Sequence, residues 1–476
     1  MHYRLFADPL LPHYIAIEAR LTDIQTPTVE LQLPAWRPGR YELQHFAKNI
    51  QRFTITDGAG QPLPFRKITK DRWLVETNGA SELIVHYNYY ANVINAGSSY
   101  ISNDADVSPW LYVNPVNLCL YAEGRINDPC TLELDIPDTW TIACGLPQIA
   151  PRTLTATDFY HLVDSPFIAA PALHCIDYTV RGVAFHVWVA GRMAFDPERV
   201  VRDFSRFTEA QIDLFGEFPE TEYHFLTILL STAHYHGVEH RNSTVLVLGP
   251  ADEGEGLYTD LLGIASHELF HAWNIIRIRP TELLPYDFTR ENYFTTCFVA
   301  EGVTTYYGDQ ILYRSGVFNE GAYLKELHVT LKRHFENNGR SPQSLLEASW
   351  DLWLDGYEKG VPDRKVSVYH KGAIAAMILD LHIRQVTNHT RSLDTVMRLM
   401  WERFGKPVMG YTFADYRAVT EEVIGQSLDW YYDICIIGHE SLFDLLNSYL
   451  QMLNLCVTVD ETGGIGLESA SNIKLP

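Results

Sequence analysis

Residues 266–280 read SHELFHAWNIIRIRP, and the fold around them can be worked out from this stretch. His267 and His271 are four positions apart, so on a helix both imidazoles project from one face about one turn apart. Two such imidazoles can reach a single cation, and Glu268 between them projects near the same point. The spacing predicts a metal site, with zinc as the ion that suits it best and Glu268 as general base.

A surface helix with two histidines and one charge is the alternative interpretation of the same residues. The apolar flanks argue against it, because a helix that is apolar around much of its circumference is usually buried. These flanking residues are Leu262, Ile264, Leu269, Phe270 and Trp273. We predict a helix from about Tyr258 to Arg277, with a stop at Pro280.

Catalytic zinc keeps three protein ligands and leaves one position open, so a third ligand is needed. Glu301 is the candidate, because it is a carboxylate in the apolar helical stretch Phe298–Val303. A buried carboxylate is costly unless a cation compensates it. Pairing with Arg290 or Arg314 is the alternative. The set His267, His271 and Glu301 predicts one Zn²⁺ per chain, with Glu268 taking a proton from water as an amide is cleaved.

Upstream of this stretch the chain alternates between apolar and polar residues, which predicts an all-β region up to about Ala172. A rigid corner is expected at Pro34–Tyr41. Further along, Asp196 and Pro197 should start a helix that stops near Gly216. The strand candidates are Tyr14–Leu21, Val29–Leu33, Leu83–Tyr89, Leu132–Ile136, Phe185–Val189, Phe225–Leu230 and Thr244–Leu248.

Downstream the pattern is almost wholly helical, so the chain is predicted to be a multidomain α+β protein. The stretch from about Cys456 to Pro476 is expected to be a tail, because it is too short for a domain. The remaining helix candidates are Arg290–Arg314, Glu320–Asn338, Lys371–Gln385, Leu393–Phe404 and Phe413–Ile424.

Composition excludes several classes of function. A net charge of −22 without a basic run argues against nucleic acid as a partner. The sequence has no leader of the secretory type and no apolar run that could span a bilayer, so we expect a cytoplasmic protein that does not bind membranes. Its seven cysteines form no C-x-x-C pair, so neither a disulfide framework nor a thiolate zinc site is expected. Most of these cysteines should be small buried side chains.

The runs SHELFHAWNIIRIRP at 266–280 and AEGVTTYYGD at 300–309 resemble the glycyl aminopeptidase family of zinc metallopeptidases. Two more segments are similar to motifs of that gluzincin family, namely HGVEHRNS at 236–243 and VYHKG at 368–372. The resemblance implies that Glu239 binds the free amine of a substrate, with Gly237 beside it. It also implies that the phenol of Tyr369 donates to the oxyanion. Without the resemblance, Glu239 would be a loop residue and Tyr369 a core or turn aromatic.

The resemblance extends over nearly the whole chain and implies its domain order. We expect an N-terminal β-sheet domain at 1–172, a thermolysin-like α/β catalytic domain at 173–345, a helical C-terminal domain at 346–455 and a tail at 456–476. Relatives usually carry a PDZ module after the helical domain, so the stretch 456–476 is either a tail or the stump of that module. Relatives also often place an acid where this chain has Gly308, so Asp309 is a candidate to orient a ligating histidine instead.

These residues predict a zinc aminopeptidase that takes peptides as substrates and, as the resemblance implies, prefers small N-terminal residues such as Gly or Ala. A metallo-endopeptidase that uses the same site is the first alternative. A non-catalytic peptide-binding protein that has kept the fold is the second. The sequence does not decide the oligomeric state.

Overall fold

The computed structural model describes residues 1–7, 13–101, 110–251, 254–358 and 360–469. The chain divides into two compact units. The first contains Met1–Pro197, Glu220–Leu261 and Asp287–Glu291. The second contains Glu198–Pro219, Leu262–Tyr286 and the chain from Asn292 onward.

The first unit is rich in strands, because short alternating runs between turn residues pair into sheets with one buried face. A short helix, α1 (Phe159–Val163), interrupts them. The strands are β1 (His2–Ala7), β2 (Tyr14–Leu21), β3 (Thr28–Gln32), β4 (Ile50–Asp57), β5 (Phe65–Thr69), β6 (Arg72–Glu76), β7 (Leu83–Tyr90), β8 (Tyr100–Ile101), β9 (Leu111–Val113), β10 (Tyr121–Ala122), β11 (Cys130–Asp135), β12 (Thr141–Cys144), β13 (Gln148–Ala150), β14 (Thr153–Ala156), β15 (Phe167–Ala170), β16 (His174–Val180), β17 (Val183–Ala190), β18 (Glu222–Leu229), β19 (His234–Glu239) and β20 (Ser243–Gly249).

These strands form four sheets within the described residues. A seven-stranded sheet has the order β13-β14-β11-β1-β2-β7-β4, and two four-stranded sheets have the orders β10-β3-β6-β5 and β12-β15-β9-β8. A five-stranded mixed sheet has the order β16-β17-β18-β20-β19. Its central strands β17, β18 and β20 are parallel, and both edge strands are antiparallel to their neighbours. Strands β18 and β20 are almost wholly buried, as strands covered on both faces are.

The predicted corner at Pro34–Tyr41 is a packing feature of the first unit. Trp36 is fully buried, and its indole Nε1 donates to the backbone oxygen of Asp287 at 2.7 Å. The backbone nitrogen of Ala35 donates to the backbone oxygen of Phe288 at 2.8 Å. These contacts hold residues 287–291 against the N-terminal strands of the same unit.

Helices dominate the second unit, and most of their limits lie close to those predicted. Three π-helical segments adjoin them, at Phe298–Val303, Trp401–Gly405 and Tyr432–Ile437. The helices are α2 (Pro197–Phe215), α3 (Glu255–Phe270), α4 (Thr304–Arg314), α5 (Glu320–Phe335), α6 (Leu345–Trp350), α7 (Leu352–Asp355), α8 (His370–Val386), α9 (Leu393–Met400), α10 (Phe413–Ile424), α11 (Asp429–Tyr431) and α12 (Phe443–Leu450).

Two predicted helices have different limits in the structure. The histidine-bearing helix α3 ends at Phe270 rather than Arg277, because the chain turns beyond it and Ile275 adopts a positive φ of 97°. The helix predicted from Arg290 begins only at Phe298, as a π-helical turn. Its first residues include Asn292, Thr295 and Thr296, which are weak helix formers.

The predicted tail is partly a β-hairpin. Strands β21 (Leu455–Val459) and β22 (Ile465–Ser469) pair antiparallel. The side chain of Asn447 on α12 exchanges two hydrogen bonds with the backbone of Val457, at 2.7 and 3.0 Å. The stretch predicted to be a tail or a stump is therefore ordered as far as Ser469, with the apolar side chains of Cys456, Val457 and Ile465 buried. Residues 470–476 lie outside the described residues.

Along the chain a β-rich part is followed by a mixed α/β part and then a helical part, so the predicted α+β class is confirmed. The domain limits near residues 172, 345 and 455 stay predictions. Among the described residues, no helix combines the length and the apolar character that crossing a membrane requires.

Candidate metal centre

Three side chains of the second unit converge where the sequence predicts a metal site. The Nε2 atoms of His267 and His271 are 3.1 Å apart. One carboxylate oxygen of Glu301 lies 3.7 Å from the Nε2 atom of His267 and 3.4 Å from that of His271. Glu301 therefore contacts the two histidines rather than its alternative partners. Arg314 instead pairs with Asp394.

The separations fit a zinc ion. Zinc binds nitrogen and oxygen at about 2.0–2.2 Å in tetrahedral geometry, which places neighbouring ligand atoms about 3.4 Å apart. The observed separations of 3.1, 3.4 and 3.7 Å lie on both sides of this value. Three ligand atoms on one side of a tetrahedron leave the fourth position for another molecule. The donor set of two imidazoles and a carboxylate also suits zinc among common ions.

The electrostatics favour the metal-binding protonation states of Glu301 and His267. Burial alone would raise the pKa of the Glu301 carboxyl, but the charges and hydrogen bonds of His271 and His267 outweigh it and lower the pKa to about 2. Burial lowers the pKa of His267, because it disfavours the charged imidazolium. At neutral pH the site therefore offers an ionised carboxylate and a neutral imidazole.

A residue that the sequence prediction missed orients one of the ligands. The backbone oxygen of Asn274 lies 2.8 Å from the Nδ1 atom of His271. A carbonyl can only accept, so Nδ1 carries the proton and the lone pair of Nε2 faces Glu301 and His267. The turn after α3 that carries Asn274 thus fixes the tautomer a metal ligand needs.

The side chain of Asn274 also connects the two segments that supply the ligands. Its amide nitrogen lies 2.8 Å from the backbone oxygen of Val299 and 3.0 Å from the hydroxyl of Thr304. Both acceptors flank Glu301 on its helix, and Asn274 is fully buried. The available signal in the sequence was a polar residue inside the apolar run Trp273–Ile276.

Gly308 allows close approach between α3 and α4. A Cβ atom at this position would lie 3.4 Å from the Cβ atom of His267. The hydroxyl of Ser266 donates to the backbone oxygen of Gly308 at 2.8 Å, and the amide of Gln211 donates to the backbone oxygen of Ser266 at 2.8 Å. In this chain Gly308 therefore lets the backbone of α4 pack closely against α3, the helix that carries His267.

Asp309 does not take the role of orienting a histidine. Its carboxyl lines a small cavity of about 20 Å³ between α4, α5 and α8, together with Thr305, Tyr323 and Thr330. No hydrogen bond joins it to His267 among the contacts of the described residues. Burial, helped by the nearby charge of Glu326, raises the pKa of Asp309 to about 7.

Tyr369 stands at the start of α8, beside the segment that carries Glu301. A Cβ atom at Gly302 would lie 2.5 Å from the Cα atom of Gly372 and 3.0 Å from the backbone oxygen of Val368. Only glycine tolerates such an approach between two backbones. The first turn of α8, which Tyr369 immediately precedes, is thereby fixed to the residue next to Glu301.

Glu268 lies on α3 between the two histidines. It is 5% exposed, and one of its carboxylate oxygens is within 4.8 Å of a ring nitrogen of His271. The alternative of a solvated surface helix is thus wrong, because His271 and Glu301 are also almost fully buried. A carboxylate held in such a site can accept a proton only from a molecule that enters it.

The predicted amine-binding residues belong to the first unit. Gly237 and Glu239 lie on the edge strand β19, and Glu239 is 6% exposed. A Cβ atom at Gly39 would lie 2.8 Å from a carboxylate oxygen of Glu239, and Gly39 has a φ of +78°. The Pro34–Tyr41 corner therefore packs its backbone against this carboxylate. The roles of Gly237 and Glu239 stay predictions.

Comparison with known families gives two matches along the chain. Residues 2–171 match the model of the Peptidase M61 N-terminal domain, and residues 260–375 match the model of the M61 glycyl aminopeptidase. The second stretch contains His267, His271, Glu301 and Tyr369. No curated protein sequence matches the chain.

Several solved structures share the fold of this chain. An aminopeptidase N family protein from Idiomarina loihiensis is 30% identical, with a TM-score of 0.89 over 97% of this chain and 80% of that chain. A mutant M1 zinc metallopeptidase from Deinococcus radiodurans, bound to the substrate Tyr-Ser-Ala, is 14% identical, with a TM-score of 0.55 over 92% of this chain and 94% of that one. Yeast LTA4 hydrolase in complex with bestatin is also 14% identical, with a TM-score of 0.53 over 95% and 72% of the two chains.

Proposed function

This chain belongs to the M61 glycyl aminopeptidase family of zinc metallopeptidases, and on that premise we propose that it removes the N-terminal residue of peptides, with a preference for small residues such as Gly or Ala. The observation that carries the proposal is the convergence of His267, His271 and Glu301 at separations of 3.1–3.7 Å.

The three converging side chains would hold one zinc ion per chain. When bound, zinc supplies a Lewis acid that polarises a carbonyl and makes water more acidic. Asn274 keeps the proton of His271 on Nδ1, so Nε2 remains available as a ligand atom. The ionised Glu301 supplies the negative charge that a dication needs in a buried site.

Glu268 would act as the general base. Its place on α3, one residue after His267 and three before His271, keeps the carboxylate beside the ligand set. There it would accept a proton from the attacking water and pass it to the leaving amine. Burial favours this role, because a desolvated carboxylate has no bulk water competing for its lone pairs.

Tyr369 would donate a hydrogen bond to the oxyanion that forms as water attacks the carbonyl. Such a donor stabilises charge that exists only in the transition state, so it raises the rate rather than the affinity for substrate. Support comes from the Gly302–Gly372 contact, which fixes the first turn of α8 next to the Glu301 segment.

Glu239 would bind the free ammonium group of the substrate, with Gly237 lining the same subsite. A buried carboxylate that meets an ammonium group forms a charge-assisted hydrogen bond, which is stronger than a neutral one. A peptide with a blocked N-terminus cannot make this bond. The preference for free N-termini would therefore come from Glu239, and removal of the amino-terminal residue would follow from it.

The decisive experiment compares glycyl and alanyl anilides with their N-acetylated forms. We expect hydrolysis of the free amines and little or none of the acetylated forms. In a Glu239→Gln variant the KM for free amines should rise while zinc content stays unchanged. Equal rates on free and acetylated substrates would instead indicate an endopeptidase. Absence of hydrolysis with full zinc content would indicate a non-catalytic peptide-binding protein.

A further inference from the structure

A second group of metal-ligating side chains lies on the five-stranded mixed sheet of the first unit. Cys175 and Asp177 are two positions apart on the edge strand β16, so their side chains project from the same face. His186 on β17 is the cross-strand partner of Asp177. A thiol, a carboxylate and an imidazole are thus placed together by the register of two strands.

The three ligand atoms already converge. The thiol of Cys175 donates to a carboxylate oxygen of Asp177 at 3.1 Å, and the Nδ1 atom of His186 lies 2.7 Å from the same oxygen. One atom from each residue falls within 4.8 Å of the others. Thiolate, imidazole and carboxylate are the three kinds of side chain that bind zinc in proteins.

The orientation of His186 is the second observation. Its Nδ1 atom faces Asp177, while its Nε2 atom faces a carboxylate oxygen of Glu222 at 4.0 Å. The ring also stacks on His224, with ring centroids 4.8 Å apart. A histidine that binds metal through one nitrogen usually presents the other to a carboxylate, which fixes the ring. At 4.0 Å Glu222 lies beyond hydrogen-bond distance of this nitrogen and supplies a nearby negative charge.

His224 does not belong to the ligand set, although it lies beside Glu222. The indole Nε1 atom of Trp188 donates to the Nδ1 atom of His224 at 3.1 Å. That lone pair is therefore used, and the Nε2 atom faces a carboxylate oxygen of Glu222 at 3.9 Å. His224 groups with His186 and Glu222 rather than with Cys175 and Asp177, and it serves as the stacking partner of His186.

Exposure distinguishes Cys175 from the other cysteines, all of which lie in described residues. Five are buried, as predicted, and Cys144 is half-buried, whereas Cys175 is exposed. Burial of the sulfur itself and the hydrogen bond to Asp177 raise the pKa of the Cys175 thiol to about 12. A dication must displace this proton, so binding at the cluster should strengthen as pH rises.

We propose that Cys175, Asp177 and His186 form a second metal site that binds a divalent transition metal ion of the zinc type, with water completing the coordination. The site is independent of the proposed peptidase centre. Sequence spacing argued against a thiolate site because no C-x-x-C pair is present, but here the ligands come from two paired strands. A bound ion would join the edge strand β16 to β17.

Cobalt titration tests the proposal, because a thiolate bound to Co²⁺ gives a sulfur-to-metal charge-transfer band in the near ultraviolet. His267, His271 and Glu301 contain no sulfur, so the peptidase centre cannot produce this band. We expect the band to appear in the wild-type protein with a stoichiometry of one and to be absent in Cys175→Ser. A Cys144→Ser variant is the matched control and should keep it.

Two further variants separate metal binding from loss of folding. Both Asp177→Asn and Glu222→Gln keep the thiol. Asp177→Asn removes a proposed ligand and should weaken cobalt binding at this site by at least about 10-fold, whereas Glu222→Gln removes only a nearby charge and should weaken it less. Peptidase activity and circular dichroism should stay unchanged in Cys175→Ser. The proposal is overturned if the wild-type protein shows no thiolate band, or if the band survives in folded Cys175→Ser.

Discussion

The Nδ1 atom of His271 lies 2.8 Å from the backbone oxygen of Asn274, three residues further along the chain. Helix α3 ends at Phe270, so the turn that follows the second ligand supplies the acceptor that fixes its tautomer. The amide of Asn274 in turn donates to the segment that carries Glu301. One buried residue therefore positions two ligands that are thirty positions apart in sequence.

Asn274→Ala should weaken zinc binding by about 10- to 100-fold, because the variant loses the hydrogen bonds to Val299 and Thr304 that hold the Glu301 segment. Zinc affinity measured by competition with a chelator checks this. Asn447→Ala is a matched control, since it loses two hydrogen bonds to Val457 in the same unit. The control should lower stability without changing zinc affinity. Equal zinc affinities in both variants would contradict a positioning role for Asn274.

Gly372→Ala should lower the free energy of unfolding by about 1–3 kcal/mol, because the added methyl group would lie 2.7 Å from the Cα atom of Gly302. Neither backbone can move aside without shifting Glu301 or Tyr369, so zinc affinity should fall as well. Gly256→Ala on α3 is the control, because a Cβ atom there meets nothing within 4 Å. Denaturant unfolding gives the free energy of unfolding of both variants, and competition with a chelator gives their zinc affinity. If Gly372→Ala has the stability and the zinc affinity of the wild type, the close contact between Gly372 and Gly302 does not position the metal ligands.

The sequence was most informative where local periodicity and local chemistry coincide. The i, i+4 spacing of His267 and His271 and the apolar setting of Glu301 were sufficient to predict three side chains that meet within 3.7 Å. Strands β18 and β20 and helix α10 also lie where their patterns predict them. These features can be predicted because they depend on residues a few positions apart or on the apolar character of one segment.

What could not be predicted depends on contacts between distant segments. Asn274 is a polar residue in an apolar run, and nothing local indicates that its amide meets Thr304. The hairpin β21–β22 is held by Asn447 on α12 and by His328 on α5, contacts that a short Gly-containing stretch does not reveal. Asp309 was expected beside a histidine, but the helical rotation of α4 directs its carboxyl into a cavity against α5 and α8.

Glu268→Gln should lower kcat by about 10²- to 10⁴-fold, because the amide cannot accept a proton. The substitution keeps the size and the burial of the side chain, so zinc content should remain that of the wild type. Anilide hydrolysis and metal analysis on the same preparation test both parts. Retained turnover in a zinc-loaded variant would exclude Glu268 as the base.

Tyr369→Phe should reduce kcat by about 10²- to 10³-fold and leave KM nearly unchanged, since a hydrogen bond made only in the transition state does not affect substrate affinity. Tyr313→Phe is a suitable control, because Tyr313 is a partly exposed tyrosine of α4. Steady-state kinetics of both variants provide the measurement. A change confined to KM would indicate that Tyr369 binds substrate instead.

Asp309→Asn should stabilise the protein above neutral pH. Burial raises the pKa of Asp309 from 3.8 to about 7, so the folded state holds a proton that the unfolded state releases. Wild-type stability should therefore fall as pH rises from about 4 to about 7, by about 1–4 kcal/mol, and the asparagine variant should lack this slope. Unfolding curves at several pH values measure it. Glu326→Gln should lower the pKa of Asp309, so the fall in stability should be complete at a lower pH. If the fall in stability persists in Asp309→Asn, a titratable group other than Asp309 causes it.

Anomalous scattering from crystals of the zinc-loaded protein, recorded on both sides of the zinc absorption edge, tests the metal centre most directly. We predict a peak bonded to the Nε2 atoms of His267 and His271 and to a carboxylate oxygen of Glu301, at about 2.0–2.2 Å from each. A zinc-loaded crystal that diffracts well and shows no anomalous density between these three side chains would contradict the assignment.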